Sequence, residues 1–214
     1  MHDVLGHARC AVAGGDVGGV VLFDLGLRYP DFVTRQVLFN TVPPPLQAVY
    51  DAAGLPPDDV RERRATADYF IRQATEPEVL LAELDTSARR QAWVAPMYGH
   101  RLWGTPNAFT AEEVAFHSEP YTVAEKLRAS WGVYEQSAGK RAMEDVPKLF
   151  DRTPVPTLVL YGPEDHVVLP SFPWKAAAAC IDCTGPLFVP RAGHFLQWEA
   201  AETFNKITAA FCRS

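Results

Sequence analysis

The chain is short of several things, and each shortage narrows what it does. No run of about 18 apolar residues occurs, which sets aside a membrane-spanning helix. The first residues, Met1-His2-Asp3-Val4-Leu5-Gly6-His7, are too polar for a signal peptide. Positive charge is scarce: 20 Lys and Arg against 26 Asp and Glu leave a net charge of -6, without the basic footprint of a nucleic-acid-binding surface. Cysteine is limited to Cys10, Cys180, Cys183 and Cys212. Cys180-x-x-Cys183 has neither a second pair nor a histidine at ligand spacing. Buried or incidental thiols of a reducing cytoplasm are therefore expected, with no metal and no other cofactor. Neither an internal repeat nor a low-complexity segment is present. What remains is ordinary for a globular protein: 214 residues, 48% hydrophobic and 21% charged. That length suits one domain, or one domain with an insertion.

Residues 10–13 form a short β-type run that enters a glycine-dense turn, Gly14-Gly15-Asp16-Val17-Gly18-Gly19. Residues 18–28 carry apolar positions at helical spacing, with Val21, Leu22 and Leu25 on one face, and Tyr29-Pro30-Asp31 ends the pattern. Gln36-Val37-Leu38-Phe39-Asn40 reads as a buried strand. A strand–helix–strand unit of this kind implies a parallel sheet. A strand that reverses sharply into a helix brings its backbones together, so small residues are expected two before and two after the apex. Gly14 and Gly18 fill those places. The Gly-x-Asp-x-Gly pattern matches the Gly-x-Ser-x-Gly turn that presents a nucleophile above an α/β sheet, with a carboxylate at the apex.

After Thr41-Val42-Pro43-Pro44-Pro45 the pattern turns helical, over 58–74, 77–84, 88–97, 111–119 and 123–137. Glu76-Pro77 is a helix start, and Thr110-x-x-Glu113 reads as a capping box. Strand-like runs resume with Thr157-Leu158-Val159-Leu160-Tyr161 and then with Pro186-Leu187-Phe188-Val189-Pro190. Helices are expected over 172–180 and 195–211. The division is thus 1–43 and 151–214 for a sheet-based core, with 44–150 as an all-helical insertion.

Functional groups of a parallel sheet collect where its strands end. Asp16, Asp165 and His194 each follow a strand, in the chain order nucleophile, acid, histidine that marks α/β-hydrolases. Singly, each has a plain structural reading: a turn residue, a loop cap, a core histidine. Jointly, in this order, they point to a catalytic triad.

The chain resembles the α/β-hydrolases that carry an aspartate nucleophile, above all the epoxide hydrolases. The resemblance is carried by Ala13-Gly14-Gly15-Asp16-Val17-Gly18-Gly19, Leu27-Arg28-Tyr29-Pro30, Leu160-Tyr161-Gly162-Pro163-Glu164-Asp165 and Ala192-Gly193-His194-Phe195-Leu196-Gln197-Trp198-Glu199. It implies the C-terminal part of an α/β-hydrolase fold, about four parallel strands with flanking helices and an inserted helical cap. It implies Asp16 as nucleophile, His194 as base, Asp165 as its support and Val17 N–H as an oxyanion donor. Two cap tyrosines of that family donate to the epoxide oxygen. Tyr134, 31 residues before Asp165, and Tyr69, ahead of Glu76-Pro77, match them best, with Tyr50, Tyr98 and Tyr121 as weaker competitors. The implied reaction opens an epoxide to a diol through an alkyl ester on Asp16.

Haloalkane dehalogenation shares the carboxylate attack, but Val17 stands where that family typically has tryptophan. In the family the nucleophile follows the fifth strand, whereas here it is residue 16. The expectation is therefore that the earlier strands, and the His-Gly-x-Pro-type loop with a second oxyanion donor, lie outside this sequence. That leaves open a fragment of a longer hydrolase, or an inactive remnant serving as a binding or oligomerisation module. The expected partner is a small hydrophobic substrate, an epoxide or a related electrophile, with no nucleic acid and no membrane, and a homo-oligomer stays open. Trp93, Trp103, Phe109, Phe116 and Trp131 supply apolar surface in the insertion, most of it expected to pack as core.

Overall fold

Three apolar runs and one less obvious segment pair side by side as a parallel sheet. In the computed structural model the order is β1 (Cys10–Gly15), β2 (Val33–Phe39), β3 (Thr157–Tyr161), β4 (Cys183–Phe188). The register places Ala13 beside Val37, Leu38 beside Val159 and Leu160 beside Leu187. The structure describes residues 2–58, 69–101, 104–105, 108–142, 146–147 and 149–213. Among them, α1 (His2–Leu5) precedes the sheet and α2 (Val17–Arg28) crosses from β1 to β2. Between β2 and β3 come α3 (Gln47–Ala52), α4 (Tyr69–Thr75), α5 (Pro77–Glu83) and α6 (Ser87–Pro96). They are followed by α7 (Ala111–Ser118), α8 (Ala124–Ser130) and α9 (Gly132–Ser137). Then α10 (Phe172–Ala178) joins β3 to β4, with α11 (Leu196–Glu199) and α12 (Ala201–Arg213) after β4.

Alternation along the strands splits the core in two. Val37, Phe39, Leu158 and Leu160 face Leu196 and Phe204, with Ile207 and Phe211 of α12 packed on them at helical spacing. Leu38 points the other way, into a cluster with Phe23 of α2, Tyr50 of α3 and Ala179. Each fully buried side chain of this size contributes roughly 1.5–3 kcal/mol; residues 36–39 of β2 and all of β3 are buried, whereas Ala11 and Ala13 of β1 and Leu187 and Phe188 of β4 stay exposed. A third cluster lies within the helical segment, where Leu80, Leu84, Val94, Leu127 and Trp131 pack together.

Several boundaries differ from the sequence reading. α3 (Gln47–Ala52) falls where no helix was expected, since the prolines ahead of it dominate the pattern. The helix expected over 58–74 is described only as α4; residues 59–68 lie outside the described residues. The helix expected over 123–137 divides at Trp131 into α8 and α9, and that expected over 195–211 divides at Ala200, whose φ of -129° leaves helical space. β4 starts at Cys183, three residues before the expected run, and includes Pro186. An outer strand tolerates proline because one row of its N–H groups meets no neighbour.

Candidate active site

The site begins where β1 gives way to α2. Asp16 sits there with φ 48° and ψ -130°, a conformation that costs a residue with a Cβ about 1–3 kcal/mol. Two groups hold it. Asp16 N–H donates to the Asn40 carbonyl at 2.9 Å, and Thr41 Oγ1 donates to the Asp16 carbonyl at 2.6 Å. Val17 is the first residue of α2, so its N–H has no intrahelical acceptor.

The close approach at this turn differs in part from expectation. A Cβ on Gly14 would stand 2.8 Å from Leu22 and 2.9 Å from the Gly18 backbone, as expected. A Cβ on Gly18 would meet nothing within 4 Å, whereas one on Gly19 would stand 2.3 Å from Thr41 Oγ1. Gly18 brings its backbone to the crossing, and the space that must stay empty is at Gly14, Gly19 and also Gly15, where a Cβ would stand 2.4 Å from the Phe39 ring.

Asp165 follows β3 and is fully buried. Its Oδ1 accepts the N–H groups of Val167 at 2.7 Å and Val168 at 3.0 Å. Its Oδ2 accepts Asn40 Nδ2 at 2.7 Å and His194 Nδ1 at 2.9 Å. With Nδ1–H committed to Asp165, His194 turns Nε2 toward Asp16, whose Oδ2 lies 3.7 Å away. That is an ion-pair distance and longer than a hydrogen bond. The Asp16 side chain is 39% exposed, against 5% for His194 and 0% for Asp165.

Burial pulls the His194 imidazole down, but the carboxylates of Asp16 and Asp165 outweigh it and push it up to about 10. The resting imidazole therefore carries its proton at neutral pH.

Asn40 is the residue that the sequence reading passed over as a strand end. It is 2% exposed, with a positive φ of 40°. Its Nδ2 donates to both Asp165 Oδ2 and the Gly193 carbonyl, at 2.7 and 2.8 Å, and its Oδ1 accepts Gly162 N–H at 2.9 Å. One side chain thus joins the ends of β2 and β3 to the loop before His194, while its carbonyl holds Asp16. The available signal was an amide ending an apolar strand at the edge where functional groups gather.

Asp16 and His194 line a cavity of about 290 Å³ together with Tyr69 and Tyr134. The two phenol oxygens lie 3.5 Å apart and their rings meet edge to face, centroids 6.0 Å apart. Burial, followed by the neighbouring Tyr134, pushes the Tyr69 phenol up. Burial pushes the Tyr134 phenol up too, against the contact with Tyr69. Both hydroxyls hold their protons across the neutral range. Tyr98 and Tyr121 line the same cavity, whereas Tyr50 lies under the sheet and donates to the Pro44 carbonyl. Trp93 and Trp131 also line it, and the buried Nε1 of each has no hydrogen-bond partner among the described residues. Phe109 is buried as expected for core, Phe116 is 74% exposed, and Trp103 lies outside the described residues. Cys180 is buried and Cys183 half-buried, both as free thiols.

A parallel sheet with a strained carboxylate turn, a buried Asp–His pair and a helical segment between β2 and β3 defines a hydrolase architecture of the α/β type. The family described as alpha/beta hydrolase fold matches residues 1–201, and the chain belongs to it. No curated protein matches. Among solved structures, the epoxide hydrolase CorEH without ligand is similar at a TM-score of 0.77 and 18% identity, covering 98% of this chain and 70% of its own. A variant epoxide hydrolase from Bacillus megaterium, complexed with its naphthyloxy-propanediol product, gives a TM-score of 0.70 at 15% identity, covering 100% of this chain and 72% of its own. The 2-hydroxy-6-oxo-6-phenylhexa-2,4-dienoate hydrolase from Rhodococcus sp. strain RHA1 gives 0.68 at 16% identity, covering 100% of this chain and 67% of its own. At such identities the likeness is one of fold, and the chemistry has to be argued from the site. No described helix is long and apolar enough to cross a membrane.

Proposed function

We propose that this hydrolase opens epoxides of small hydrophobic compounds to diols, with the helical segment between β2 and β3 as a cap over the site. The observation that carries the reading is the composition of one cavity. A carboxylate on a strained turn, a histidine held by a buried aspartate, and two phenols with firmly held protons all face the same space. An epoxide needs this combination, because its oxygen leaves as an alkoxide and must be protonated. An Asp16 oxygen attacks the epoxide carbon, the carbon–oxygen bond breaks, and the Tyr69–Tyr134 pair supplies the proton.

The ester on Asp16 removes one of the two charges that hold the His194 proton. The imidazolium then drops toward its ordinary range and releases its proton, which makes good the proton the phenol pair gave up, and the neutral imidazole can take a proton from water. That water attacks the ester carbonyl, the Val17 N–H receives the developing oxyanion, and collapse releases the diol. Four free thiols fit a reducing, cytoplasmic setting.

The test is mass spectrometry of His194→Asn protein mixed with a styrene-type epoxide. The expected result is an adduct on Asp16 that persists, whereas clean turnover by Asp16→Ala would overturn the scheme. The two unpartnered indole N–H groups of Trp93 and Trp131 favour a second reading, in which they cradle the halide of a haloalkane. Halide release from a bromoalkane, with no diol from any epoxide, would select it.

A further inference from the structure

Glu199 lies at the end of α11, five residues beyond His194, and its carboxylate collects four backbone donors. Oε2 accepts Gly104 N–H at 2.7 Å, Thr105 N–H at 2.7 Å and Gly193 N–H at 3.0 Å. Oε1 accepts Phe195 N–H at 3.1 Å. The residues on both sides of His194 are therefore tied to one side chain. A local helix cap explains the Phe195 bond, because a side chain in the first turn commonly reaches back to the capping N–H. It does not explain the two donors that arrive from about 95 residues earlier in the chain, in the segment between β2 and β3.

Other contacts run alongside. Thr105 Oγ1 donates to the Arg191 carbonyl at 2.6 Å, and Trp198 Nε1 donates to the Ala108 carbonyl at 3.0 Å. Phe109 stacks on Trp198 with centroids 5.0 Å apart, and Tyr98, which lines the cavity, stacks on Phe195. The packing leaves no slack, since a Cβ on Gly104 would stand 2.7 Å from Gly193 N. On the opposite side Asn40 grips the Gly193 carbonyl, so the residue before His194 is held at both its N–H and its carbonyl.

We propose that Glu199 is a positioning residue, whose carboxylate ties the helical segment at Gly104 and Thr105 to the loop carrying His194 and so fixes the imidazole over Asp16. Its consequence for turnover rests on the reading of Asp16 and His194 as nucleophile and base. Alkylation of Asp16 does not need His194 as a base, but hydrolysis of the ester does. Loss of the tie therefore slows the second step selectively.

The experiment uses full-length Glu199→Gln and Glu199→Asp. A glutamine turns two amide protons toward N–H groups and breaks at least one of the four bonds, while an aspartate keeps the charge with a shorter reach. For Glu199→Gln, rapid-quench mass spectrometry with a styrene-type epoxide is expected to show alkylation within about threefold of wild type. Ester hydrolysis is expected to slow by about 10- to 100-fold, the scale of a displaced catalytic group, with partial recovery in Glu199→Asp. In the same proteins without substrate, NMR of the His194 imidazole is expected to show a lower titration midpoint, together with faster amide exchange at Gly104 and Gly193.

Equal slowing of both steps in step with a lower melting temperature, with an unchanged His194 titration in the folded protein, overturns the proposal. A wild type that forms neither adduct nor diol refutes the epoxide reading instead. The positioning role is then decided by the titration and the amide exchange alone.

Discussion

Replacing Asn40 tests whether one amide holds the site together. In Asn40→Ala three hydrogen bonds vanish at once. Gly162 N–H and the Gly193 carbonyl, both buried, lose a partner, and Asp165 keeps three of its four donors. An orphaned buried backbone group costs about 1–3 kcal/mol, and a bond to a charged acceptor contributes about 1.5–3. Alanine at φ 40° adds about 1–2 kcal/mol of backbone strain. These terms share partners and are not additive, and water entering the gap recovers part of them, so the expected loss is about 3–5 kcal/mol. For a chain of this length that lowers the melting temperature by roughly 10 °C.

Asn40→Asp is the sharper version. It keeps the shape and the acceptor for Gly162, but sets an oxygen where Nδ2 stood, 2.7 Å from Asp165 Oδ2 and 2.8 Å from the Gly193 carbonyl. Burial and the neighbouring carboxylate raise the introduced carboxyl above its unfolded value near ~3.9. The folded state then holds a proton that the unfolded chain releases, so stability falls as pH rises above that value. Urea unfolding followed by tryptophan fluorescence, at about pH 5 and pH 8, measures both variants. An Asn40→Ala loss below about 1 kcal/mol, or an Asn40→Asp variant that gains stability toward pH 8, would refute the account of Asn40 as the hub.

Tyr69→Phe and Tyr134→Phe are each expected to lower kcat for epoxide opening by about 10- to 100-fold, with the double variant lower still. Stopped-flow alkylation rates check this, and a double variant at wild-type speed would remove the phenols from the mechanism. The raised His194 imidazole contributes stability that is complete below its unfolded value near ~6.5 and is lost as pH rises through about 10. Melting temperature should therefore fall over that alkaline window, and His194→Gln should flatten the decline. Asp16→Asn removes one of the two charges and should lower the His194 midpoint, read directly by NMR. Gly18→Ala is expected to leave stability within about 1 kcal/mol of wild type. Gly19→Ala, which drives a methyl into Thr41 Oγ1, should lose about 1–3 kcal/mol; equal effects at the two glycines would contradict the packing described for the turn.

The parts of this molecule that were readable in the sequence are those in which local chemistry and tertiary role coincide. Leu158 to Tyr161 is apolar at every position because the strand is buried on both faces, so composition and location say the same thing. Asp16 was legible because a carboxylate between glycines after a strand has few reasons to exist, and its backbone geometry bears the strain that such a turn implies. β4 was misplaced because its first three residues, Cys183-Thr184-Gly185, read as a loop, and only pairing to β3 makes them a strand. Gly18 and Gly19 are indistinguishable in sequence, and what separates them is a threonine hydroxyl 22 residues beyond Gly19.

Asn40 and Glu199 fall in the same class. Each acts through partners brought from distant elements, Asp165 and Gly193 for one, Gly104 and Thr105 for the other. A side chain whose role is to join elements carries no periodicity and no spacing of its own. The triad pattern names the proposed reacting groups, whereas the residues that hold them at 2.9 Å and 3.7 Å become visible only when the strand ends are placed side by side. It follows that a substitution at Glu199 should perturb the proposed chemistry without removing a reacting group, whereas one at Asn40, whose partners are all buried, should register first as a loss of folding stability.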